Sequence, residues 1–463
     1  MRFSRVAPLL PLASALVITD AEVFQDIETS KRSALDNAQT MIDGALDRAH
    51  HVYEKVNDEA KSIYTKIYHA GCHVDAWLQG SPFDDLVDWE EHPDHPHHPP
   101  PPPHHGKPHH PPHDDKPNRT VYELISESKY TTKLAKLIDE YDDLVQLLNG
   151  TKANYTVFAP TDEAFEKIPQ HGKKPSKDML KAILSYHVSD DLYPAGRVLH
   201  SYTIPTLYEP KHNLGHKQRL TVRVTLKGPA INFYSKLVAV NIFGTNGVVH
   251  GVDSILIPPP KVASIIDLLP GEFSTLELGL GKTGLFNLLN STEYEHNGGT
   301  FFAPSNFAFQ KLGPRINAFL FSKYGEKYLR ALLEYHMVVD QTLYSDAFFD
   351  GKKNDAKDDD EVPATARPPY YHYDLETVLH DKYLAVDVAR YGPFVTIRIN
   401  GFSRVTVHDG VASDGVIQVV SDVLVPPKNA ASGEQVFWKG EEMSVEDLKE
   451  RLEPFLVHHQ MDL

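Results

Sequence analysis

The sequence is poor in sulfur and in long apolar segments. Its 463 residues include a single cysteine, Cys72, which excludes an internal disulfide framework, a zinc site built from cysteines and an iron–sulfur cluster. Beyond the N-terminus no segment contains 18 consecutive apolar residues, so we predict no transmembrane helix. The GxSxG and HExxH motifs, the P-loop and the dinucleotide-binding fingerprint are also missing. We therefore predict a protein that is not an enzyme and uses no cofactor.

The sequence also has fewer basic residues than acidic ones. Lys and Arg number 46 against 63 Asp and Glu, so the formal net charge is −17 at pH 7 with neutral histidine. A chain this acidic repels nucleic acid and anionic lipid, and we expect neither as a partner. Hydrophobic residues make up 41% of the chain, enough for a folded core, and the length allows two or three domains.

Residues 1–21 have the pattern of a secretory signal peptide. Arg2 and Arg5 precede the apolar stretch 6–18, which is too short to span a bilayer as a helix. Small residues predict cleavage after Ala21, and a membrane anchor or a loose apolar N-terminus is the alternative. Export gives access to N-glycosylation, so we predict a secreted glycoprotein. The four sequon asparagines are Asn118, Asn149, Asn154 and Asn290.

The middle part of residues 22–91 has the apolar periodicity of an α-helix. From Ser33 to Tyr68 apolar residues recur at steps of three and four, with charged residues on the opposite face. We predict an α-helical N-terminal region that packs against another helix or lies on the globular body. Self-association through these helices or through a Cys72 disulfide is one expectation, and a buried free thiol is the other.

A run of histidine and proline follows. Nine histidines and ten prolines fill 19 of the 22 positions from His92 to His113. Because proline lacks a backbone donor and histidine is polar, the run cannot build a core, and we predict a disordered linker over 92–118. Neutral imidazole binds zinc, copper or nickel, so the alternative to a solvated spacer is metal binding, although no spacing matches a closed structural site. The candidate metal ligands are His95, His97, His98, His104, His105, His109 and His110.

The rest of the chain contains an internal duplication. Three segments recur in the same order at offsets of 144, 149 and 168 residues, so the second copy carries insertions. An acidic run with several prolines near 350–369 accounts for much of the increase in offset, and we predict a disordered surface loop there. The recurring segments are TVFAPTDEAF from Thr156 and TFFAPSNFAF from Thr300, LKAILSYHV from Leu180 and LRALLEYHMV from Leu329, and NGVVHGVDSILIPP from Asn246 and DGVIQVVSDVLVPP from Asp414.

Each copy has the same order of predicted elements. Apolar helices come first, and alternating runs such as LTVRVTL and FVTIRI follow, which are typical of strands. This order predicts an α+β fold with an antiparallel or mixed sheet. Thr161 or Asp162 in the first copy, and Ser305 and Asn306 in the second, are predicted to cap the helices that begin there.

The repeated segments resemble the fasciclin domain family. TVFAPTDEAF and TFFAPSNFAF are similar to its first signature, the Tyr-His pair that follows LKAILS and LRALLE to its second, and NGVVHGVDSILIPP to its terminal signature. The resemblance implies two tandem domains, 119–260 and 261–428, each a β-sandwich-like wedge with flanking helices. Residues 429–463 are then a C-terminal tail, in which we predict a short amphipathic helix.

The resemblance also suggests an interaction site. In some family members the Tyr-His region contributes to receptor binding. The alternative, which we favour, is a half-buried pair whose polar atoms bond to the backbone where the chain turns. In the terminal signature, Gln418 replaces the histidine of the first copy. The five interaction candidates are Tyr186, His187, His250, Tyr335 and His336.

The family's usual role is adhesion or contact with matrix and cell wall. The resemblance therefore implies a non-enzymatic, secreted glycoprotein that mediates cell adhesion or cell-wall interaction. Its partner would be a glycan or protein of the cell surface or wall. The layout is similar to secreted or vacuolar fasciclin proteins of filamentous fungi. The alternative is a metal-binding or pH-responsive envelope or vacuolar protein that acts through its His/Pro run.

Overall fold

The structure is a computed structural model. It describes residues 74–79, 117–150, 154–168, 175–210, 214–225, 228–290, 296–350, 355–358, 370–391, 394–429 and 435–456. The predicted signal peptide, Cys72, the His92–His113 run and most of the predicted N-terminal helical region lie outside these residues.

The first domain is built on a seven-stranded mixed sheet. Its strands are β1 (Tyr155–Pro160), β2 (Val188–Ser189), β3 (Thr203–Pro205), β4 (Arg219–Thr225), β5 (Gly228–Ile231), β6 (Ser235–Gly244) and β7 (Gly247–Val252). They lie in the order β2-β1-β7-β6-β5-β4-β3. Only β1 and β7 are parallel, and every other pair of neighbours is antiparallel. Every residue of β7 is buried, as expected for a central strand that is covered on both faces.

The second domain repeats this sheet. Its strands are β8 (Gly299–Pro304), β9 (Met337–Val339), β10 (Gln341–Leu343), β11 (Ala347–Asp350), β12 (Asp355–Asp358), β13 (Tyr370–Glu376), β14 (Tyr383–Tyr391), β15 (Phe394–Ile399), β16 (Ser403–Ala412) and β17 (Gly415–Val420). The order β13-β14-β15-β16-β17-β8-β9 matches that of the first sheet, with β8 parallel to β17. The predicted α+β architecture with two tandem domains is confirmed.

The second domain departs from the first at its insertion. Strands β10, β11 and β12 form a separate antiparallel sheet, so the loop predicted to be disordered near 350–369 begins with a paired strand, Asp355–Asp358. The prediction rested on side-chain charge, whereas the ladder with β11 uses backbone donors and acceptors that every non-proline residue has. Residues 351–354 and 359–369 lie outside the described part of the chain.

Helices flank both sheets. Those of the first domain are α1 (Val74–Gln79), α2 (Val121–Ser126), α3 (Thr132–Ile138), α4 (Asp142–Asn149), α5 (Asp162–Glu166), α6 (Lys177–Tyr186) and α7 (Ala195–His200). Those of the second are α8 (Val262–Leu268), α9 (Pro270–Lys282), α10 (Leu285–Asn290), α11 (Asn306–Lys311), α12 (Pro314–Leu320) and α13 (Glu326–Glu334). A C-terminal hairpin of β18 (Lys428–Asn429) and β19 (Gln435–Val436) leads to α14 (Val445–Leu452) and a 3₁₀ turn, Glu453–Phe455.

The predicted helix caps are only partly correct. Ser305 does cap α11, because its side chain accepts a hydrogen bond from Ala308 N–H (3.2 Å). Thr161 makes no such bond. The Asp162 carboxylate instead accepts from Lys133 N–H in the neighbouring helix α3 (2.8 Å), where the first N–H groups have no partner within the helix. Asn306 Oδ1 accepts from Thr275 N–H, which lies within α9 (2.9 Å).

Both ends of the described chain contribute to a domain core. Trp77 in α1 is fully buried in the first domain, and its indole N–H donates to the Leu124 carbonyl (3.0 Å). Leu448 and Leu452 of α14 join the core of the second domain. The predicted amphipathic helix in the C-terminal tail is therefore present and packs its apolar face inward.

Candidate functional site

The Tyr-His pair of the first domain lies where α6 ends and β2 begins. The His187 Nδ1–H donates to the Ile183 carbonyl (2.7 Å), and its Nε2 accepts from Leu256 N–H (2.9 Å). The ring satisfies a carbonyl in the last turn of α6 and holds that helix against the segment after β7. Burial lowers the pKa of His187 to about 4, although the carbonyl contact opposes the shift.

The second domain repeats this geometry. The His336 Nδ1–H donates to the Leu332 carbonyl (2.8 Å), and its Nε2 accepts from Leu424 N–H (2.8 Å). Burial again lowers the pKa to about 4. In both domains the imidazole is neutral, and a second ring proton would point at a backbone N–H. These histidines therefore act as fixed donor–acceptor bridges within the fold.

Each tyrosine of the pair is held by an asparagine. Tyr186 Oη donates to the Arg219 carbonyl (3.0 Å) and accepts from Asn232 Nδ2 (2.9 Å). Tyr335 Oη accepts from Asn400 Nδ2 in the same way (3.0 Å). Burial raises the pKa of both tyrosines, so the hydroxyls stay protonated.

These two asparagines lie outside the three repeated signatures. Asn232 (φ 51°) and Asn400 (φ 52°) occupy the left-handed region in the turns between β5 and β6 and between β15 and β16. Asparagine tolerates this conformation, and an Ile-Asn dipeptide at the same place in both copies was the available signal.

His250 is a third buried bridge, and Gln418 replaces it without loss of hydrogen bonds. His250 Nε2–H donates to the Tyr193 carbonyl (2.8 Å), and Nδ1 accepts from Asn241 N–H (3.3 Å). Gln418 Nε2 donates to the Leu343 carbonyl (2.8 Å), and its Oε1 accepts from Asp409 N–H (3.1 Å). A primary amide thus supplies the donor and acceptor that the imidazole supplies in the first domain.

All five interaction candidates therefore lie in the interior. Each is at most 2% exposed, and each makes hydrogen bonds within its own domain. A ligand at the surface cannot reach their polar atoms, so contacts with a partner must come from other residues.

A polar seam joins the two domains. The Asp346 carboxylate of the second domain accepts from Tyr202 N–H (2.9 Å) and from Thr203 N–H and Oγ1 (2.6 Å each) in the first. Gln218 Nε2 reaches across to the Ala412 carbonyl (2.9 Å). Because these groups are buried, the seam fixes one relative arrangement of the two domains.

Charged groups extend the seam. Arg223 Nη1 donates to His408 Nε2 (2.8 Å), and His408 Nδ1–H donates to Asp409 Oδ2 (2.6 Å). Burial opposes ionisation of Asp409, yet the contacts with His408, Arg223 and Ser345 outweigh it and lower the pKa to about 2. The seam therefore contains a buried carboxylate that remains ionised.

An exposed aromatic patch lies beside the seam on the first domain. We call Phe233, Tyr234 and Ile257, which are 50%, 48% and 56% exposed, the aromatic patch. Tyr234 Oη accepts from Ile257 N–H (3.0 Å), and the Arg223 guanidinium lies 5.4 Å from the centre of the Phe233 ring. Exposed apolar clusters of this kind mark interaction surfaces.

The backbone at Phe233 is strained. Its φ of 68° is in the left-handed region, which bulky residues rarely adopt. The matching turn of the second domain has Gly401 there (φ 76°), the residue that such a turn favours. The fold therefore does not require a phenylalanine, and strain without a structural need is typical of functional positions. In the sequence, the contrast between INFYS and INGFS marks this position.

Comparison with known proteins assigns the family. The model of the fasciclin domain matches residues 129–258 and 271–426, one match in each domain. The chain belongs to the fasciclin domain family. The resemblance drawn from the repeated signatures is thereby confirmed.

The fasciclin-domain relatives share low identity with this chain. Aurofusarin biosynthesis cluster protein S of the fungus Gibberella zeae is 28% identical over 360 residues, which is 73% of this chain and 87% of that protein. Fasciclin-1 of Schistocerca americana is 24% identical over 218 residues, 45% of this chain and 32% of that protein. The chain thus spans about a third of the length of Fasciclin-1. A solved FAS1 domain pair from the insect cell adhesion molecule Fasciclin I is 19% identical with a TM-score of 0.32, and the match covers 64% of this chain and 96% of that one.

The remaining predictions for this fasciclin-domain chain concern metal ligands, membrane-spanning helices and glycosylation. The candidate metal ligands between His95 and His110 lie outside the described residues, and metal binding there stays a prediction. Within the described residues, no cluster of three or more His, Cys, Asp and Glu side chains is arranged to hold a metal ion. None of the helices in that part of the chain is both long and apolar enough to cross a bilayer. The four sequon asparagines are all exposed.

Proposed function

We propose that this fasciclin-domain chain is a secreted glycoprotein that mediates adhesion at the cell surface or cell wall and catalyses no reaction. Its partner is a glycan or protein of that surface. Family membership over both domains carries the proposal, because adhesion is the usual role of the family. The aromatic patch supports it, since an exposed apolar cluster on a rigid two-domain body suits binding more than chemistry.

The sequons support export to different degrees. Asn149 and Asn290 are exposed at the ends of α4 and α10, which are equivalent helices. The Asn154 sequon has another explanation, because its Thr156 Oγ1 bonds to Asp191 O and Tyr193 N–H (2.7 Å each). Thr300 makes the same pair of contacts in the second domain, outside any sequon. We therefore expect glycans at Asn149 and Asn290.

Fractionation of the native host tests export. C-terminally tagged chain should occur in medium and wall fractions, and glycosidase treatment should increase its mobility. Asn149→Gln and Asn290→Gln should each remove one glycan, and Asn154→Gln is the matched control within the same domain. Unshifted protein confined to the cytosol would contradict the secreted glycoprotein.

Binding to isolated cell walls tests adhesion. Purified full chain should bind walls of the native host saturably, and binding should survive removal of its own N-glycans if protein surfaces make the contact. A variant with an intact fold and a disrupted aromatic patch, Phe233→Gly, should bind less. Absence of saturable binding to walls and to intact cells would refute an adhesive role.

A further inference from the structure

One surface that both domains share differs between them in solvent exposure. In the second domain the residues that correspond to Tyr234 and Ile257 are Phe402 and Val425, by the alignment of INFYS with INGFS and of SILIP with DVLVP. Val425 is only 1% exposed, whereas Ile257 is 56% exposed. Among the described residues, the apolar surface that is exposed in the first domain is therefore covered in the second.

The C-terminal tail provides the cover. The Trp438 ring packs edge-on against Phe402, with ring centres 5.5 Å apart, and Trp438 itself is 5% exposed. Arg451 of α14 donates to the carbonyls of Pro426 (3.2 Å) and Val436 (2.9 Å), and so fastens the tail to the domain beside Val425. The second domain thus displays how this surface accommodates a peptide segment with a tryptophan anchor.

We propose that the aromatic patch of the first domain binds a peptide segment of a partner protein through an aromatic anchor, as the second domain binds its own tail. The inference rests on the proposed adhesive function for its biological setting and names the kind of partner. The anchor packs against Tyr234 and Ile257, and Phe233 widens the contact beyond what Gly401 offers in the second domain.

The geometry around Phe233 favours a binding role over a folding role. A glycine is the better residue for the turn, and the second domain has it. Arg223 is engaged with His408 across the seam, so the patch has a fixed position relative to both domains. A prearranged aromatic surface loses little conformational entropy when a partner binds, which favours affinity.

A labelled peptide of residues 433–444 of this chain, GEQVFWKGEEMS, is the probe. We expect saturable fluorescence-anisotropy binding to the full chain. Replacing Trp438 of the peptide with alanine should weaken binding by about tenfold or more, as for a buried aromatic anchor. The double variant Phe233→Gly, Ile257→Ser of the full chain should weaken it by about the same factor. Leu278→Ser removes an equally exposed apolar side chain (61%) from the second domain, and should leave binding unchanged.

Several results would overturn the proposal. One is peptide binding that the patch variant and Leu278→Ser affect equally. Another is absence of peptide binding while the full chain dimerises through the patch, which would assign the surface to a different contact with a second copy. Both substituted positions of the patch are exposed, and thermal unfolding verifies that each variant is folded. Peptide binding without wall binding would refute adhesion and leave this inference intact. Wall binding that the patch variant retains, together with no peptide binding, would refute this inference and leave adhesion intact.

Discussion

Replacement of His250 with glutamine should make the first domain less sensitive to acid. The second domain has glutamine at the same place, Gln418, with an equivalent donor and acceptor pattern. His250→Gln therefore keeps both hydrogen bonds and removes only the titrating ring. The ring also stacks on Phe158, with centres 5.6 Å apart and an interplanar angle of 25°. Loss of this stack should cost about 1 kcal/mol at neutral pH.

The size of the acid effect follows from the pKa of His250. Burial lowers that pKa to about 4, while an unfolded histidine titrates near ~6.5. The stabilising contribution is complete above pH ~6.5 and is lost as the pH falls towards ~4, because the unfolded chain then binds the proton more readily. At pH 5 the loss from one such group is about 2 kcal/mol. The variant should thus be about 1 kcal/mol less stable than the wild type at pH 7.5 and about 1 kcal/mol more stable at pH 5.

Hydrogen exchange in guanidinium chloride, read by mass spectrometry at both pH values, measures each domain separately. Peptides from β7 report on the first domain. Peptides from β17 are the internal control, because that strand already contains glutamine. Equal acid sensitivity of β7 in wild type and variant would show that His250 is not a buried neutral group and would refute the argument.

Two further substitutions test the packing. Asp346→Ala leaves the N–H groups of Tyr202 and Thr203 and the Thr203 hydroxyl without their acceptor, and should weaken the seam by about 2–5 kcal/mol. Small-angle scattering should then show a larger radius of gyration. An unchanged radius would contradict a seam that fixes the two domains. Gly251→Val introduces a Cβ 3.0 Å from the Trp77 ring, so the indole must shift, and overpacking should cost the first domain about 1–3 kcal/mol. Gly271→Ala meets open space and is the control. Tryptophan emission and thermal stability that are unchanged by Gly251→Val would refute this contact.

The duplicated signatures were sufficient to predict the family and the repeated architecture. Strands β4, β6 and β7 of the first domain and β14, β15 and β17 of the second lie on the apolar runs that predicted strands. The short strands β2, β3 and β9 have two or three residues each and no periodicity that a sequence could display. They exist because neighbouring strands supply their hydrogen-bond partners.

The candidate site was predictable only in part. The Tyr-His pairs stood out in the sequence, and the buried alternative for them rested on the flanking apolar helices. The seam was not predictable, because Asp346 and Thr203 are 143 positions apart and nothing local links them. The aromatic patch was visible only as a difference between two turns, and its exposure depends on which of the described segments pack against each domain.

The sequence by itself therefore determined the number of domains, their order of elements and the positions where the two copies must bury equivalent side chains. These properties come from local periodicity and from the repetition of three segments. Tertiary structure alone decided which ring nitrogen of each buried histidine carries the proton, how the two domains join, and which apolar surface is exposed in the described part of the chain. Those properties depend on contacts between residues far apart in the chain, and the C-terminal tail covers one of two equivalent surfaces because it follows the second domain directly.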